Sequence, residues 1–378
     1  MAHTVLLQGN EACAEGAVYA GCRFYGGYPI TPSSEIAEYL SRRLPLVGGT
    51  FVQMEDEIAS IASVIGASMA GVKAMTATSG PGFSLMQENL DLAAVTETPV
   101  VIVNSMRGGP STGLPTATGQ GDLMQARWGS HSDHPVVALA PAGAQEMFDL
   151  TVRAFNIAEH LRLPVVLLPE AVVSHIREAV RIPDAGEMEV IERHQPESYD
   201  GGRFFKRNEH GLAFPPTLGG GFHPHYTGLA HAEDGFPTSD PETAGKFIEG
   251  LNLKVAANVE LLTDYEAEAV DDAELILASF GVTGRACQHV ARILREQGRR
   301  VGYFRPRILW PFPEARLREL SRTARAFLVA ELNLGQMRLE VERVVCGRAR
   351  VVGLHKVDGT MLEIDEVLAA ASEVPADA

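Results

Sequence analysis

The alternation of short apolar, β-branched runs with longer helical stretches is the feature of this 378-residue sequence that most constrains its fold. Several of these runs are apolar throughout, as expected for strands that are buried on both faces. Strands that alternate with helices indicate a parallel sheet with helices on both sides. In the first half, the predicted strands are residues 23–28, 50–54, 73–78, 100–105, 136–140 and 164–168, and the predicted helices are 34–43, 57–69, 84–96 and 143–161.

The alternation stops near residue 187. Residues 201–241 are rich in Gly, Pro and His and have no period, but their aromatic residues favour an ordered connector over a flexible linker. A charged stretch that we predict to be helical follows at 242–268. Strand–helix alternation then resumes, with strands predicted at 273–280, 300–304, 326–330 and 350–354. We therefore predict three parts: an α/β domain over 1–186, an irregular connector over 187–268 and a smaller α/β domain over 269–378.

Composition narrows the classes of function. The net charge of −16 argues against a broad nucleic-acid footprint and against docking on an anionic membrane. The cysteines lie far apart without CxxC spacing, which excludes a zinc ribbon and a cubane iron–sulfur cluster within this chain: Cys13, Cys22, Cys287 and Cys346. No segment reaches the ~18 unbroken apolar residues of a membrane span, and the N-terminus lacks a secretory signal pattern. We expect a cytoplasmic enzyme.

Chemically useful residues follow the first four predicted strands, where an open parallel sheet binds its ligands. Thr31 lies between two prolines after the first strand, and Glu57 opens a helix of small residues after the second. The turn TSGPG, residues 78–82, follows the third strand, and Arg107 begins the Gly-rich stretch after the fourth. Each feature alone also fits a structural role, such as a cap, a helix-dipole partner, a turn or a salt bridge. Their convergence on one edge favours a ligand site.

These motifs resemble a known family. An acid that opens a small-residue helix about twenty residues before TSGPG is similar to the pyrimidine-binding domain of thiamine-diphosphate enzymes. Longer strings resemble the alpha subunits of 2-oxoacid:ferredoxin oxidoreductases, with 2-oxoglutarate enzymes nearest and branched-chain enzymes second. The strings span nearly the whole chain: YPITPSSEIAEYL, QMEDEIASIASVIGASMAG, TATSGPGFSLMQENL, RGGPSTGLPT, GSHSDHP, HYTGLAHAEDGFP, RPRILWPFP and ELNLGQM.

The resemblance implies a fold and roles for individual residues. The expected fold is α/β: a thiamine-diphosphate pyrimidine-binding fold (a doubly wound parallel sheet), followed by a smaller transketolase C-terminal-like α/β domain. Glu57 matches the catalytic glutamate that hydrogen-bonds N1′ of the cofactor's pyrimidine, and Thr31 matches a threonine near the reactive carbon and the substrate carboxylate. Burial should raise the pKa of Glu57 while the helix N-terminus should lower it, and the sequence leaves this balance open.

The resemblance also implies neighbours for these two residues. Arg107 is the expected cationic partner of a substrate carboxylate, with a structural salt bridge as the alternative. His131 and His134 could reach a second carboxylate, although a structural role is at least as plausible. The pyrimidine pocket is expected to be lined by Pro29, Ile30, Ser79 and Gly80.

No metal site is expected in this chain. His223, His225 and His231 lie in the connector without supporting Cys or paired acids. Gly121-Asp122 is followed by Leu123, so the GDG motif that usually anchors Mg²⁺ and the diphosphate is incomplete. The resemblance therefore implies that the cofactor is shared with a beta subunit, which holds the diphosphate, Mg²⁺ and a [4Fe–4S] cluster. It also implies a gamma subunit, a ferredoxin-like delta subunit with further clusters, and ferredoxin as electron acceptor.

The implied reaction is the reversible oxidative decarboxylation of 2-oxoglutarate with CoA to succinyl-CoA and CO2, coupled to ferredoxin reduction. The same chemistry on branched-chain 2-oxoacids such as 2-oxoisovalerate is the alternative. A catalytically silent assembly subunit would be expected to have lost Glu57 or Thr31, and both are present. A non-oxidative thiamine decarboxylase would be expected to carry its own Mg²⁺ motif.

Overall fold

A computed structural model describes residues 2–196, 198 and 201–374. The helices are α1 (Gly9–Tyr19), α2 (Ser34–Arg43), α3 (Glu57–Met69), α4 (Gly80–Val95), α5 (Leu123–Trp128), α6 (Ala144–Leu161), α7 (Ala171–His175), α8 (Pro241–Ala256), α9 (Thr283–Glu296), α10 (Glu314–Leu320), α11 (Gln336–Val345) and α12 (Ile364–Glu373). The strands are β1 (His3–Gln8), β2 (Phe24–Gly27), β3 (Thr50–Gln53), β4 (Ala74–Thr78), β5 (Val100–Asn104), β6 (Arg107–Gly108), β7 (Leu114–Thr118), β8 (Val137–Leu139), β9 (Pro164–Leu167), β10 (Arg177–Ile182), β11 (Tyr265–Glu268), β12 (Leu275–Ala278), β13 (Val301–Pro306), β14 (Ile308–Trp310), β15 (Ala326–Glu331) and β16 (Arg350–His355).

The first sheet has seven strands in the order β14-β8-β9-β5-β4-β2-β3. Six of them run parallel, and they confirm the six strands predicted for the first half of the sequence to within a few residues. Alternate residues of β5 face opposite sides, as the strand period of two requires. Val101 and Val103 pack with α1, α2 and α6, whereas Val100 and Ile102 pack with α3 and α4. Helices on both faces explain why the first four residues of this strand are apolar.

The second sheet has five strands in the order β11-β13-β12-β15-β16 and confirms the four strands predicted there. The expectation of helix over 242–268 is wrong at its end, because α8 stops at Ala256 and Tyr265–Glu268 is a strand antiparallel to β13. Tertiary ion pairs explain the difference. Glu266 binds Arg305 and Glu268 binds Arg292, so alternate acids face the rest of the domain as in an edge strand.

The two sheets share contacts and a core. Strand β14, from the second half of the sequence, pairs antiparallel with β8 of the first sheet. One apolar cluster contains Ile61 and Phe83 beside the first sheet together with Phe304 and Phe327 of the second. The predicted boundaries at residues 186 and 268 stay a prediction, since the core crosses the proposed division. Among the described helices, none has the length and apolar character needed to cross a membrane.

The order of the first sheet determines where its loops meet. Strands β5, β4, β2 and β3 are adjacent and parallel, so the segments that follow them leave from the same edge. This edge is where an open α/β sheet forms its binding crevice. The short hairpin β6–β7 continues from β5 and extends the same edge.

Candidate active site

Glu57 occupies a recess made by a glycine. It is the first residue of α3, capped by Asp56, whose Oδ1 accepts a hydrogen bond from the Ala59 amide at 2.7 Å. Its side chain is only 5% exposed. A Cβ atom built on Gly82 would lie 2.4 Å from Glu57 Oε1 and 2.1 Å from Thr78 Oγ1. The second glycine of TSGPG is therefore needed to make room for the Glu57 carboxyl group.

The environment of Glu57 resolves the balance that the sequence left open. Burial raises the pKa of Glu57, and the nearby Asp56 charge adds to this effect. The backbone amide of Glu57 and the Arg107 charge oppose the rise but do not reverse it. Glu57 is therefore a carboxyl group that keeps a proton more readily than an exposed glutamate, as expected of a proton-sharing group.

Arg107 joins two of the predicted site segments. Its side chain is buried, and it donates to the Thr31 carbonyl at 2.7 Å and to the Thr112 carbonyl at 2.9 Å. Burial lowers its pKa, opposed by the charges of Asp122 and Glu57. Within the described ranges Arg107 forms no ion pair closer than 4 Å, and its Nε lacks a hydrogen-bond partner. The salt-bridge alternative therefore finds no support here, and the guanidinium charge is available to a ligand.

The loop that contains Thr31 is held from both sides. Arg107 binds the Thr31 carbonyl, and Asn10 Nδ2 donates to the Pro32 carbonyl at 2.8 Å. The Thr31 and Pro29 side chains are exposed at this edge, and Ile30 is half-buried. Thr31 is thus an exposed residue on a main chain that is held by hydrogen bonds from both sides.

A cleft of about 430 Å³ lies beside Arg107. Its walls are the start of α4, the β6–β7 hairpin, residues 119–125 and the loop 332–336 of the second half. Gly80 lines the cleft, while the buried Ser79 hydroxyl donates to the Ser105 carbonyl at 2.8 Å. A larger groove of about 820 Å³ lies between α7, α9 and residues 360–365, but neither Glu57 nor Arg107 lines it. Arg107 and Asp122 line the smaller cleft and therefore indicate it as the site, while Glu57 and Thr31 are not among its lining residues.

Asp122 and Asn104 belong to this edge but were not among the predicted site residues. Asp122 lines the cleft and accepts a hydrogen bond from Asn104 Nδ2 at 2.8 Å. Burial raises the pKa of Asp122, opposed by the Asn104 hydrogen bond and the Arg107 charge. Asn104 is the last residue of β5, and a polar residue that ends an apolar strand is the signal that could have identified it.

The structure does not bring His131 and His134 together with Arg107. Both lie against Asp91 of α4, at 3.3 Å and 3.0 Å from its carboxylate oxygens. Asp91 is about three helical turns, roughly 16 Å, along α4 from Gly80 at the cleft. These histidines tie the loop after α5 to α4, which is the structural role left open by the sequence.

The histidines of the connector make aromatic contacts. His231 is buried with ring centroids 4.5 Å from Phe205 and 4.3 Å from Phe247, and its Nδ1 lies 3.1 Å from the Leu229 carbonyl. His225 stacks on Phe236 at 4.3 Å. In the part of the chain that the structure describes, no three His, Cys, Asp or Glu side chains are grouped as metal ligands.

Known proteins share this fold. The family described as pyruvate flavodoxin/ferredoxin oxidoreductase, thiamine diphosphate-binding, matches residues 15–249. Residues 273–367 match the pyruvate:ferredoxin oxidoreductase core domain II. A split-gene transketolase, described as an inactive beta4 tetramer, shares the fold at a TM-score of 0.57 and 15% identity. The fold and site thus define a thiamine-diphosphate-binding oxidoreductase subunit.

More similar relatives narrow the family. The chain is 48% identical to the 2-oxoglutarate synthase subunit KorA of Methanothermobacter marburgensis, over 97% of this chain and 98% of that protein. It is 37% identical to the ketoisovalerate oxidoreductase subunit VorB of Methanothermobacter thermautotrophicus, over 99% of both. A solved 2-oxoglutarate:ferredoxin oxidoreductase from Magnetococcus marinus, with 2-oxoglutarate, coenzyme A and succinyl-CoA bound, matches with a TM-score of 0.91 at 31% identity. That match covers 98% of this chain and 65% of the other. The chain belongs to the 2-oxoacid:ferredoxin oxidoreductase family, in the group that contains the KorA subunits.

Proposed function

We propose that this chain is the cofactor-activating subunit of a 2-oxoglutarate:ferredoxin oxidoreductase. The enzyme oxidatively decarboxylates 2-oxoglutarate with CoA to succinyl-CoA and CO2, reversibly, and reduces ferredoxin. The observation that carries the proposal is the grouping of the buried Glu57 carboxyl and the unpaired Arg107 guanidinium at one strand edge. The higher identity to KorA (48%) than to VorB (37%) favours 2-oxoglutarate over branched-chain 2-oxoacids.

The residues at the edge suit a thiamine pyrimidine ring. Glu57 is buried with a raised pKa, so it can hydrogen-bond N1′ and share a proton with it. Ser79 and Gly80 stand at the start of α4, just before the Gly82 that adjoins Glu57, and Pro29 and Ile30 precede Thr31 in the chain. We assign these four residues to the wall of the pyrimidine pocket. Thiamine diphosphate, when bound, supplies the electron sink for decarboxylation of a 2-oxoacid.

Thr31 and Arg107 are assigned to the substrate. Arg107 donates to the Thr31 carbonyl at 2.7 Å, so its charge and the exposed Thr31 belong to the same edge of the sheet. A guanidinium beside a hydroxyl is suited to a carboxylate through charge-assisted hydrogen bonds. Among the described residues, Arg107 is the one cationic side chain that lines the cleft. We therefore assign recognition of the second carboxylate of 2-oxoglutarate to groups contributed across the subunit interface.

The remaining functions are assigned to partner subunits. The relatives are named as subunits, which supports a multi-subunit enzyme. Cys13, Cys22 and Cys287 are free and buried, and among the described residues no three His, Cys, Asp or Glu side chains are grouped as metal ligands. We assign the diphosphate, Mg²⁺ and a [4Fe–4S] cluster to a beta subunit, and further clusters to a ferredoxin-like delta subunit, with a gamma subunit completing the complex. Its substrates CoA and ferredoxin suit a cytoplasmic location.

The test is turnover by the assembled complex. The chain would be co-expressed with its partner subunits, purified anaerobically and assayed by CoA-dependent reduction of a viologen dye with single 2-oxoacids. We expect 2-oxoglutarate to be the preferred substrate. Preference for 2-oxoisovalerate would overturn the substrate assignment while keeping the chemistry. Inactivity of a cofactor-loaded complex with every 2-oxoacid would overturn the function.

A further inference from the structure

One buried glutamine connects the wall of the cleft to the second sheet. Gln120 has no exposed surface. Its Nε2 donates to the Phe280 carbonyl at 3.0 Å and to the Glu170 carboxylate. Its Oε1 accepts from the Leu332 amide at 2.8 Å and from the Thr283 hydroxyl at 3.4 Å. Phe280 and Leu332 follow β12 and β15, so a single side chain binds two strand ends of the second sheet.

The main chain of Gln120 strengthens this connection. Its amide donates to the Leu332 carbonyl at 3.0 Å, and its carbonyl accepts from Asn333 Nδ2 at 2.8 Å. Leu332 and Asn333 belong to the loop that forms one wall of the cleft. Donors and acceptors on both the side chain and the backbone are thus used at this one residue, as buried polar groups require.

Glu170 anchors the other end of the contact. It follows β9 of the first sheet, is fully buried, and also accepts from the Val282 amide at 3.2 Å. A Cβ atom at Gly281 would lie 1.8 Å from Glu170 Oε1, so only glycine leaves space for this carboxylate. Gln120 and Glu170 together therefore join the first sheet to the start of α9.

Gln120 is also close in sequence to the groups that face the ligand. Thr118 pairs with Arg107 across the β6–β7 hairpin. A Cβ atom at Gly119 would lie 2.9 Å from the Arg107 carbonyl, so the chain passes tightly under Arg107 just before Gln120. Asp122 lines the cleft two residues later. A shift of Gln120 would therefore move the strand that bears Arg107.

We infer that Gln120 is a positioning residue that sets the affinity of the cleft for a 2-oxoacid carboxylate by holding Arg107 against the second sheet. The inference rests on the proposed function. A glutamine is needed because the place requires donors for Glu170 and Phe280 and an acceptor for Leu332. Leucine would remove these hydrogen bonds from the Phe280 carbonyl and the Leu332 amide and leave Glu170 with the Val282 amide, and glutamate would put a second carboxylate against Glu170.

The experiment uses the assembled complex with Gln120→Leu and Gln120→Glu. The matched control is Gln288→Leu, whose amide also donates to glutamates, Glu266 and Glu268, but at the far edge of the second sheet. We expect the Gln120 variants to raise KM for 2-oxoglutarate about tenfold with kcat within about threefold of wild type, the size of one lost hydrogen bond to a charged group. The control should leave KM unchanged.

Two further readouts separate positioning from general destabilisation. The rise in KM caused by Gln120→Glu should be smaller at pH 6.5 than at pH 8.5. At the lower pH one proton is shared between the introduced carboxylate and Glu170, which relieves the repulsion between the two groups. Burial already raises the pKa of Glu170 to about 7, and the charged group acting on it is Arg305, which is paired with Glu146 and Glu266. The double variant Gln120→Glu/Glu170→Gln restores an amide–carboxylate hydrogen bond and should return KM to within about threefold of wild type.

Hydrogen–deuterium exchange tests the inference without substrate. In the Gln120→Leu complex, the amides of the β6–β7 hairpin should exchange about tenfold faster than in wild type, since local opening becomes easier. KM within twofold of wild type in every Gln120 variant, or unchanged exchange in the hairpin, would overturn the positioning role. If the wild-type complex turned over no 2-oxoacid, the proposed function would be wrong. Hydrogen–deuterium exchange of the hairpin would then still decide whether Gln120 positions Arg107.

Discussion

The two sheets have the same kind of edge but use it differently. In the first sheet, the residues after the parallel strands leave charge available, since Arg107 has no ion-pair partner within the described residues and Thr31 is exposed. In the second sheet, the polar groups at the end of β15 and in the segment that follows it form hydrogen bonds with one another. Glu331 accepts from the Met337 amide at 2.8 Å and from the Arg338 amide at 3.0 Å. The same topology thus supplies a binding edge in one half and an internal connection in the other.

This difference shows what parallel topology alone does not determine. An open sheet places loops at one edge, but the edge binds a ligand only where its polar groups are not already paired inside the protein. Asn333 illustrates the second case, because its Oδ1 accepts from the Gly335 and Gln336 amides at 2.8 Å each. Substitutions of unpaired groups at the first edge should therefore impair activity, and those of internally paired groups in the second sheet should impair stability.

The largest effect on steady-state kinetics or stability should come from a matched pair of buried arginines. Arg107→Met should lower kcat/KM for 2-oxoglutarate about 10²–10³-fold, because a desolvated charge partner of the carboxylate is lost. Arg305→Met should instead lower the free energy of unfolding by about 3–5 kcal/mol. Arg305 is 3% exposed and binds Glu146 at 2.6 Å and Glu266 at 2.9 Å. Steady-state kinetics and calorimetry of the complex measure the two effects.

The opposite pair of results would contradict the difference between the two sheets. If Arg305→Met abolished turnover at full stability, the second half would hold the reactive groups. If Arg107→Met unfolded the complex, Arg107 would be a structural residue.

A smaller effect is expected for a matched pair of glycines. Gly82→Ala should lower kcat about 10–100-fold, because the new Cβ displaces the Glu57 carboxyl and the proton-sharing group with it. Gly66→Ala, in the interior of α3, is the control, since a Cβ there meets nothing within 4 Å. It should stabilise the protein by about 0.5–1 kcal/mol and leave kcat unchanged. Equal kcat values for the two variants would mean that the recess at Gly82 does not hold Glu57 for catalysis.

The smallest effect is a gain of stability at the reactive edge. Folding raises the pKa of Glu57 above its ordinary value of 4.5. The protein therefore loses stability as the pH rises from 4.5 through the raised pKa, because the buried group becomes charged. Glu57→Gln removes this penalty, so the variant should be more stable than wild type by up to about 1 kcal/mol at pH 8 and equal to it at pH 4. Calorimetric unfolding at both pH values measures this. A variant less stable than wild type at pH 8 would contradict the raised pKa.

Local patterns predicted much of this molecule. The apolar strands and the Gly and Pro residues that punctuate them are visible in the sequence, so the strand-end positions of Thr31, Glu57 and Arg107 could be located. The β6–β7 hairpin was not predicted, because residues 107–118 have the Gly, Pro and Ser content of a loop. Its pairing depends on the hydrogen bonds of Arg107 to Thr31 and Thr112, and on the close passage of Gly119.

Contacts between distant segments could not be predicted. Strand β14 pairs with β8 across about 170 residues of sequence, and nothing local in Ile308–Trp310 indicates the first sheet. The pairing of His131 and His134 with Asp91 is likewise non-local, which is why a substrate contact was an equally good interpretation. The sequence placed the turn TSGPG at the ligand edge, and the structure shows that Gly82 of this turn closely approaches the Glu57 carboxyl.

The most direct test of the account is whether Glu57 activates the cofactor. The rate of exchange of the thiazolium C2 proton for deuterium would be measured by NMR after acid quench, in the thiamine-diphosphate-loaded complex without 2-oxoacid. We predict that Glu57→Gln slows this exchange about 10²–10⁴-fold while the complex stays assembled and loaded, as expected for loss of a general acid–base group. An exchange rate in the Glu57→Gln complex equal to that of wild type would contradict the central claim that this edge of the first sheet is the reactive one.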